Sequence, residues 1–266
     1  MSPSRMPAAG ALELKDHMPH SHEQARLGYV ATGLGKSMID DTGERDIRRA
    51  IVEVYAALAQ LGMNSGSAGN ISVRFGRGML ITPTGCSADS LRPRNVVSTK
   101  FDGSSVGGLE PSSEWSMHAE VYLRVAGANA VIHTHADNCV AMACLRRPIP
   151  AFHYMINRFG GDSVPCVEYS TFGTSELGAA AGAALEERTA CLLANHGMLS
   201  RGNTLREAFD AAIVLETLAR QYLLTLSAGQ PVLLTRRNMA AVAKRFREYS
   251  HASRPRARDR WAVPRR

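Results

Sequence analysis

The tripeptide His133-Thr134-His135 closes the apolar run Ala130-Val131-Ile132, and it restricts what the chain around it can become. An apolar run of this kind predicts a buried β-strand, in which residues i and i+2 point to the same side. Two imidazoles therefore leave one face of one strand. Sixty-one residues after His135, a second apolar run from Cys191 to Ala194 ends in Asn195-His196-Gly197, a glycine turn able to bring a third imidazole to the same place. Three histidine nitrogens with one position open are the ligand set of a catalytic divalent metal. In isolation, a His-x-His pair on a strand is more often a pair of hydrogen-bonded polar residues.

A carboxylate tips the balance toward a metalloenzyme. Glu114 follows Pro111-Ser112-Ser113 and precedes Trp115, Met117, Val121, Tyr122 and Val125, which recur at helical spacing. A carboxylate in the first helical turn suits the local dipole and is able to ligate a metal or move protons. Its plainer role is an N-terminal helix charge paired with His118 at i+4. His118 itself falls on the face the pattern leaves exposed and is read as a surface histidine.

Composition narrows the class. At 266 residues and 45% hydrophobic content, the chain can bury the core of one large domain. No run approaches the roughly 18 apolar residues of a membrane span, and residues 1 to 41 lack the pattern of a signal peptide, so a cytoplasmic protein with no membrane partner is expected. Cys86, Cys139, Cys144, Cys166 and Cys191 form no Cys-x-x-Cys pair, which argues for reduced thiols over a disulfide framework. The net charge of +7 is concentrated at the end: from Leu233 onward there are eleven Lys or Arg against two acids, leaving the rest of the chain two charges negative. No specific nucleic-acid partner is expected of such a body.

Along the chain, residues 1 to 44 lack periodicity and read as an extension. Gly33-Leu34-Gly35-Lys36-Ser37 resembles the end of a phosphate-binding loop, but Val30 stands where that motif needs glycine. Ile47, Ile51, Tyr55, Leu58 and Leu61 predict an amphipathic helix from Asp46 to Gly62. A hairpin follows around Gly76-Arg77-Gly78, then strands near Val96 to Phe101, His133, Val164 to Tyr169 and Ala190 to Ala194. Helices are expected after Glu114 and over Asp137 to Arg146, Ser175 to Glu187 and Thr204 to Leu226. This order predicts an α/β protein of the α+β type: one domain over residues 45 to 250, with a mixed, mostly antiparallel sheet flanked by helices. Residues 251 to 266 form an Arg-rich tail.

Three segments of small residues carry hydroxyls and backbone donors: Gly66-Ser67-Ala68-Gly69-Asn70, Thr82-Pro83-Thr84-Gly85 and Ser112-Ser113. Such segments suit a phosphate monoester whose charge no Mg²⁺ carries. These segments, Pro111-Ser112-Ser113-Glu114-Trp115, His133-Thr134-His135, the stretch from Ile149 to Ile156, Thr171-Phe172-Gly173-Thr174 and Asn195-His196-Gly197 together resemble the class II aldolase family. The L-fuculose-1-phosphate aldolase branch is the most similar, over residues 46 to 249.

The resemblance implies that His133, His135 and His196 bind one Zn²⁺ per subunit, with Glu114 as a fourth ligand that moves away to act as acid/base. Asn70, Thr84, Gly85, Ser112 and Ser113 would hold the substrate phosphate. Tyr154, supplied by a neighbouring subunit of a homotetramer, would exchange a proton with the aldehyde-derived oxygen, and Phe172 would line the aldehyde pocket. Tyr249 stands near the family's C-terminal tyrosine, though the segment before it is one residue shorter. The implied reaction is retro-aldol cleavage of L-fuculose 1-phosphate, a phosphorylated sugar, to dihydroxyacetone phosphate and L-lactaldehyde. The only lysine between residues 46 and 230 is Lys100, consistent with metal rather than Schiff-base chemistry. Aldolases of 5-deoxyribulose or methylthioribulose 1-phosphate share the same Glu and His set. A sugar-phosphate dehydratase on this scaffold is a further alternative, and a 4-epimerase is disfavoured because epimerases of the family resemble a version with Asp at position 114. A non-catalytic adducin-like binding domain is disfavoured by retention of all the ligands.

Overall fold

The computed structural model describes residues 43–252; the 33–37 glycine segment, most of the N-terminal extension and the Arg-rich tail lie outside the described residues. Helix α1 (Glu44–Gln60) buries Ile47, Ile51, Val54, Tyr55 and Leu58, one stripe at three- and four-residue steps. The Tyr55 hydroxyl lies within hydrogen-bond reach of the Ala68 and Cys86 carbonyls, at 3.2 and 3.1 Å. It fastens two loops that later line the functional site.

Strands β1 (Asn70–Phe75) and β2 (Gly78–Ile81) form the expected hairpin, with Phe75 opposite Gly78. Gly76 at φ +57° supplies the left-handed turn residue. The meander continues through β3 (Val97–Lys100) and β4 (Ser105–Val106). Strand β5 (Ala130–Thr134) is buried at all five positions. It lies between β1 and β10 (Gly197–Gly202), antiparallel to both. Beyond β10 come β9 (Ala190–Leu193) and β8 (Cys166–Val167), giving the order β4-β3-β2-β1-β5-β10-β9-β8. Among the described strands only the β8–β9 pairing is parallel, so the mixed, mostly antiparallel sheet is as expected.

Helices α2 (Trp115–Arg124) and α4 (Ser175–Ala184) pack on the sheet face that carries Met79, Ile81, Val131, Leu193 and Leu199. Each fully buried side chain of this kind contributes roughly 1.5–3 kcal/mol. The two helices approach closely because α4 offers Gly178 and Gly182; a Cβ on Gly182 would lie 2.9 Å from Arg124 Cδ and 3.1 Å from Glu120 Cβ. On the opposite face lies α5 (Leu205–Ala228), where Ser200 Oγ donates to the Ala208 carbonyl; α1 and α3 (Asp137–Cys144) pack against α5. All five cysteines are free, and Cys86, Cys139 and Cys191 are buried. No described helix is long and apolar enough to cross a membrane.

Two expectations are corrected, and two elements are new. The strand read over Val164 to Tyr169 is broken at Pro165, which has no N–H for a ladder. Its first part, β7 (Ser163–Val164), pairs with β6 (Ile149–Pro150), and its second part is β8. Strand β10 and helix α6 (Arg236–Ala252) were not expected: the first follows its neighbour too closely to read as separate, and the second carries few large apolar side chains to mark a buried stripe. His118 is completely buried rather than exposed, because the face of α2 turned to the sheet also includes Met117, Ala119, Val121 and Tyr122.

The entry to β1 depends on close packing. Gly69 has φ +77°, and a Cβ there would lie 2.4 Å from Asn64 Oδ1 and 2.8 Å from the His133 carbonyl oxygen; Gly66 has φ +60° but open space around it. Gly66→Ala is therefore expected to cost only the left-handed backbone penalty of about 1–2 kcal/mol. Gly69→Ala should cost about 3 kcal/mol or more, since overpacking adds to the same strain. Denaturant unfolding of both variants checks this, and equal losses would refute it.

Candidate functional site

His133 is the fourth residue of β5, His135 lies one residue beyond the strand end, and His196 sits in the turn between β9 and β10. That turn is tight: Asn195 takes φ +53°, and a Cβ on Gly197 would lie 2.5 Å from the Thr134 carbonyl oxygen and 3.1 Å from His135 Cδ2. Glycine at 197 thus lets the third histidine close on the first two. The three rings have centroids 4.7–4.9 Å apart, and their ligand nitrogens lie within 4.8 Å of one another. His133 Nε2 and His135 Nε2 are 2.9 Å apart.

The protonation pattern suits a cation. His133 Nδ1 donates to the Met198 carbonyl at 2.9 Å, an assignment forced because a carbonyl only accepts. Nε2 then carries the lone pair, turned toward the other rings. Burial pushes His133 down to about 4 and also lowers His135 and His196, so all three are neutral at pH 7 and able to bind metal.

Glu114 is the N-cap residue of α2 and is delivered by that helix to the same point. Its Oε2 lies 3.3 Å from His133 Nε2 and its Oε1 lies 3.4 Å from His196 Nε2. Burial works against its charged form, but His133 and His196, which attract it when protonated at low pH, and a hydrogen bond from Asn70 outweigh burial and hold the carboxyl below the usual range. Oε2 accepts from Asn70 Nδ2 at 2.8 Å, whereas Oε1 is buried with no hydrogen-bond partner. An orphaned carboxylate oxygen beside three neutral imidazoles fits a divalent cation. His133, His135 and His196 are therefore the ligand set that the donor chemistry supports, with Glu114 within reach.

A cleft of about 340 Å³ opens above these groups, lined by Ser67 to Asn70, Pro83 to Gly85, Ser112 to Glu114, His135, Tyr169, Ser170, Phe172, Asn195 and His196. The three small-residue segments thus meet at the histidines. A bridge between Pro83 and Pro111, reinforced by bonds from Thr84 N to the Glu110 carbonyl and from Ser112 N to the Thr82 carbonyl, joins the second segment to the third.

Thr84, Gly85, Ser112 and Ser113 line the cleft, as does Phe172, which is 65% exposed at its rim. Asn70 lines it too, but its carboxamide is used twice, by Glu114 and by His118 Nε2 at 2.5 Å. Tyr154 does not line the cleft of its own chain; it is half-exposed, with its ring 4.7 Å from that of His153. Tyr249 is likewise outside the cleft, on α6, beneath the Arg245 guanidinium.

Sequence reasoning missed His118, Ser72, Tyr169 and Arg146. His118 stands one helical turn from Glu114, and Ser72 shares the strand face of Asn70, so both were within reach of the periodicity used for the histidines. Arg146, at φ +51°, donates from Nε to Asn195 Oδ1 at 2.6 Å and covers the Tyr169 ring. No sequence pattern announces it.

The family model for the class II aldolase and adducin N-terminal domain matches residues 49–223. The chain is 43% identical over 203 residues to 5-methylthioribulose-1-phosphate/5-deoxyribulose-1-phosphate aldolase of Rhodospirillum rubrum, covering 76% of this chain and 92% of that protein. It is 42% identical over 204 residues to L-fuculose phosphate aldolase of Escherichia coli K12, covering 76% and 95%. Among solved structures, an L-fuculose 1-phosphate aldolase superposes with a TM-score of 0.73 at 35% identity, covering 79% of this chain and 99% of the other. The L-fuculose-1-phosphate aldolase of Thermus thermophilus gives 0.62 at 30%, covering 72% and 100%. With relatives at this identity matched almost end to end and the family model spanning most of the described residues, the chain belongs to the class II aldolase and adducin N-terminal domain family.

Proposed function

We propose that this class II aldolase cleaves a ketose 1-phosphate, with L-fuculose 1-phosphate as the leading substrate and dihydroxyacetone phosphate and L-lactaldehyde as products. The observation that carries the reading is the convergence of His133, His135, His196 and Glu114 at the floor of a cleft walled by hydroxyl- and glycine-rich segments. Among the described residues the wall has no lysine or arginine, so the phosphate would be held by Thr84, Gly85, Ser112 and Ser113 beside the N-terminus of α2.

His133, His135 and His196 would hold the metal, zinc by family resemblance, with Glu114 as a further ligand. A bound divalent cation supplies Lewis-acid stabilisation of the negative charge that develops beside the ketone. Cleavage starts when a base takes the proton of the C4 hydroxyl. Tyr154 of a neighbouring subunit fills this role in a homotetramer, which accounts for its exposure and for its distance from the cleft of its own chain. The C3–C4 bond then breaks, the electron pair stays on C3, and the aldehyde departs past Phe172. Glu114, protonated from solvent as Tyr154 releases the C4 proton there, delivers a proton to C3, completing dihydroxyacetone phosphate.

A second reading also has support among the relatives: the Rhodospirillum rubrum protein is named for methylthioribulose and deoxyribulose phosphates. The two readings share every step and differ in the aldehyde half of the cleft. Release of dihydroxyacetone phosphate from the three ketose phosphates, followed by a coupled assay with and without chelator, separates them. Chelator-sensitive release fastest from L-fuculose 1-phosphate is expected. A preference for either ribulose derivative would move the assignment to the second reading, and no release from any of them would refute both. Glu114→Gln should lower kcat by about 10²-fold or more, and unchanged turnover would remove the acid/base role.

A further inference from the structure

Behind Glu114 lies a row of polar groups for which a plain hydrophobic core has no use. Asn70 and Ser72 lie on the same face of β1, paired with His133 and Val131 of β5. Both reach His118, which is completely buried on α2. His118 Nε2 is 2.5 Å from Asn70 Oδ1, and its Nδ1 is 2.7 Å from Ser72 Oγ. Ser72 Oγ is in turn 2.8 Å from the hydroxyl of Tyr122, also on α2 and buried.

The direction of every bond in this row follows from its end. The Glu114 carboxylate accepts, so Asn70 presents its NH₂ to Oε2 and its oxygen to His118. His118 must then donate from Nε2. Burial lowers His118 to about 3, so the ring is neutral and its Nδ1 accepts from Ser72. The Ser72 oxygen is left to accept from Tyr122, whose hydroxyl keeps its proton because burial raises its pKa. Four successive donors thus point the same way, from Tyr122 through Ser72, His118 and Asn70 to Glu114. The alignment settles the orientation of the Asn70 carboxamide, which a lone amide would leave open.

The carboxylate is consequently asymmetric. Oε2 is held from behind by Asn70, while Oε1, beside His196, has no hydrogen-bond partner. We propose that His118 is a positioning residue for proton transfer at Glu114: braced by Ser72 and working through Asn70, it anchors Oε2 and leaves Oε1, once it is off the metal, as the oxygen that exchanges the proton. The inference rests on the acid/base role of Glu114 proposed above. It also gives the Asn70 side chain a task other than holding phosphate.

The test uses the zinc-loaded enzyme and the half-reaction that isolates Glu114, exchange of the C3 hydrogen of dihydroxyacetone phosphate with D₂O, followed by NMR. Steady-state kcat and KM and bound metal are measured on the same samples. His118→Leu should slow exchange by about tenfold or more, within the range seen when such supporting partners are lost, with KM and metal content close to wild type. His118→Gln, whose amide is able to replace the Nε2 donor, should recover most of the rate. Ser72→Ala should lose about threefold, because it removes only the brace. It also carries the test if His118→Leu does not fold.

Wild-type exchange in His118→Leu and Ser72→Ala would overturn the proposal. A raised KM at unchanged kcat, or a rate loss matched by loss of metal, would do the same by moving the role of His118 to phosphate or to the metal site. Wild-type exchange in Glu114→Gln would instead remove the acid/base reading beneath it, so the two failures are told apart.

Discussion

The antiparallel pairing of β5 with β1 on one side and β10 on the other governs the centre of this protein. It sets Asn70 and Leu199 on either side of His133. Because a one-residue slip would turn every side chain to the other face, this register also decides that His133 faces α2. The carbonyl of Met198, on β10, then fixes the His133 ring through Nδ1. Glu114 comes to the same point because α2 is pressed onto the sheet by the small-residue face of α4. The polar site is thus the direct result of apolar packing a few residues away.

The site is buried, and its polar groups meet one another rather than solvent, with Glu114 Oε1 left without a hydrogen-bond partner. Burial keeps the imidazoles neutral, and the hydrogen bond from Asn70 favours the ionised form of Glu114. Neutral nitrogen lone pairs with one carboxylate suit a divalent cation better than a proton. The hydroxyl- and glycine-rich walls of the cleft, in turn, suit an anion held without a fixed positive side chain.

Much of this was legible in the sequence, for identifiable reasons. The period of two placed His133 and His135 on one face, and a glycine after His196 marked the turn that brings it back. The hairpin at Gly76 was readable because a left-handed turn needs glycine. What escaped were features that depend on tertiary packing. His118 reads as exposed because a polar side chain favours solvent, whereas β1 meets it with Asn70 and Ser72. Pro165 was absorbed into a strand it breaks. Arg146 supports Asn195 and Tyr169 from a left-handed backbone conformation that its own residue type does not suggest.

The central claim is that His133, His135 and His196 hold a catalytic metal. The most direct test is metal analysis of the purified protein beside His196→Ala, with circular dichroism to confirm that both are folded. The account predicts about one zinc per wild-type chain and its loss, without unfolding, in the variant. A wild-type protein that carries no metal, takes up none, and still cleaves a ketose 1-phosphate in the presence of chelator would contradict it.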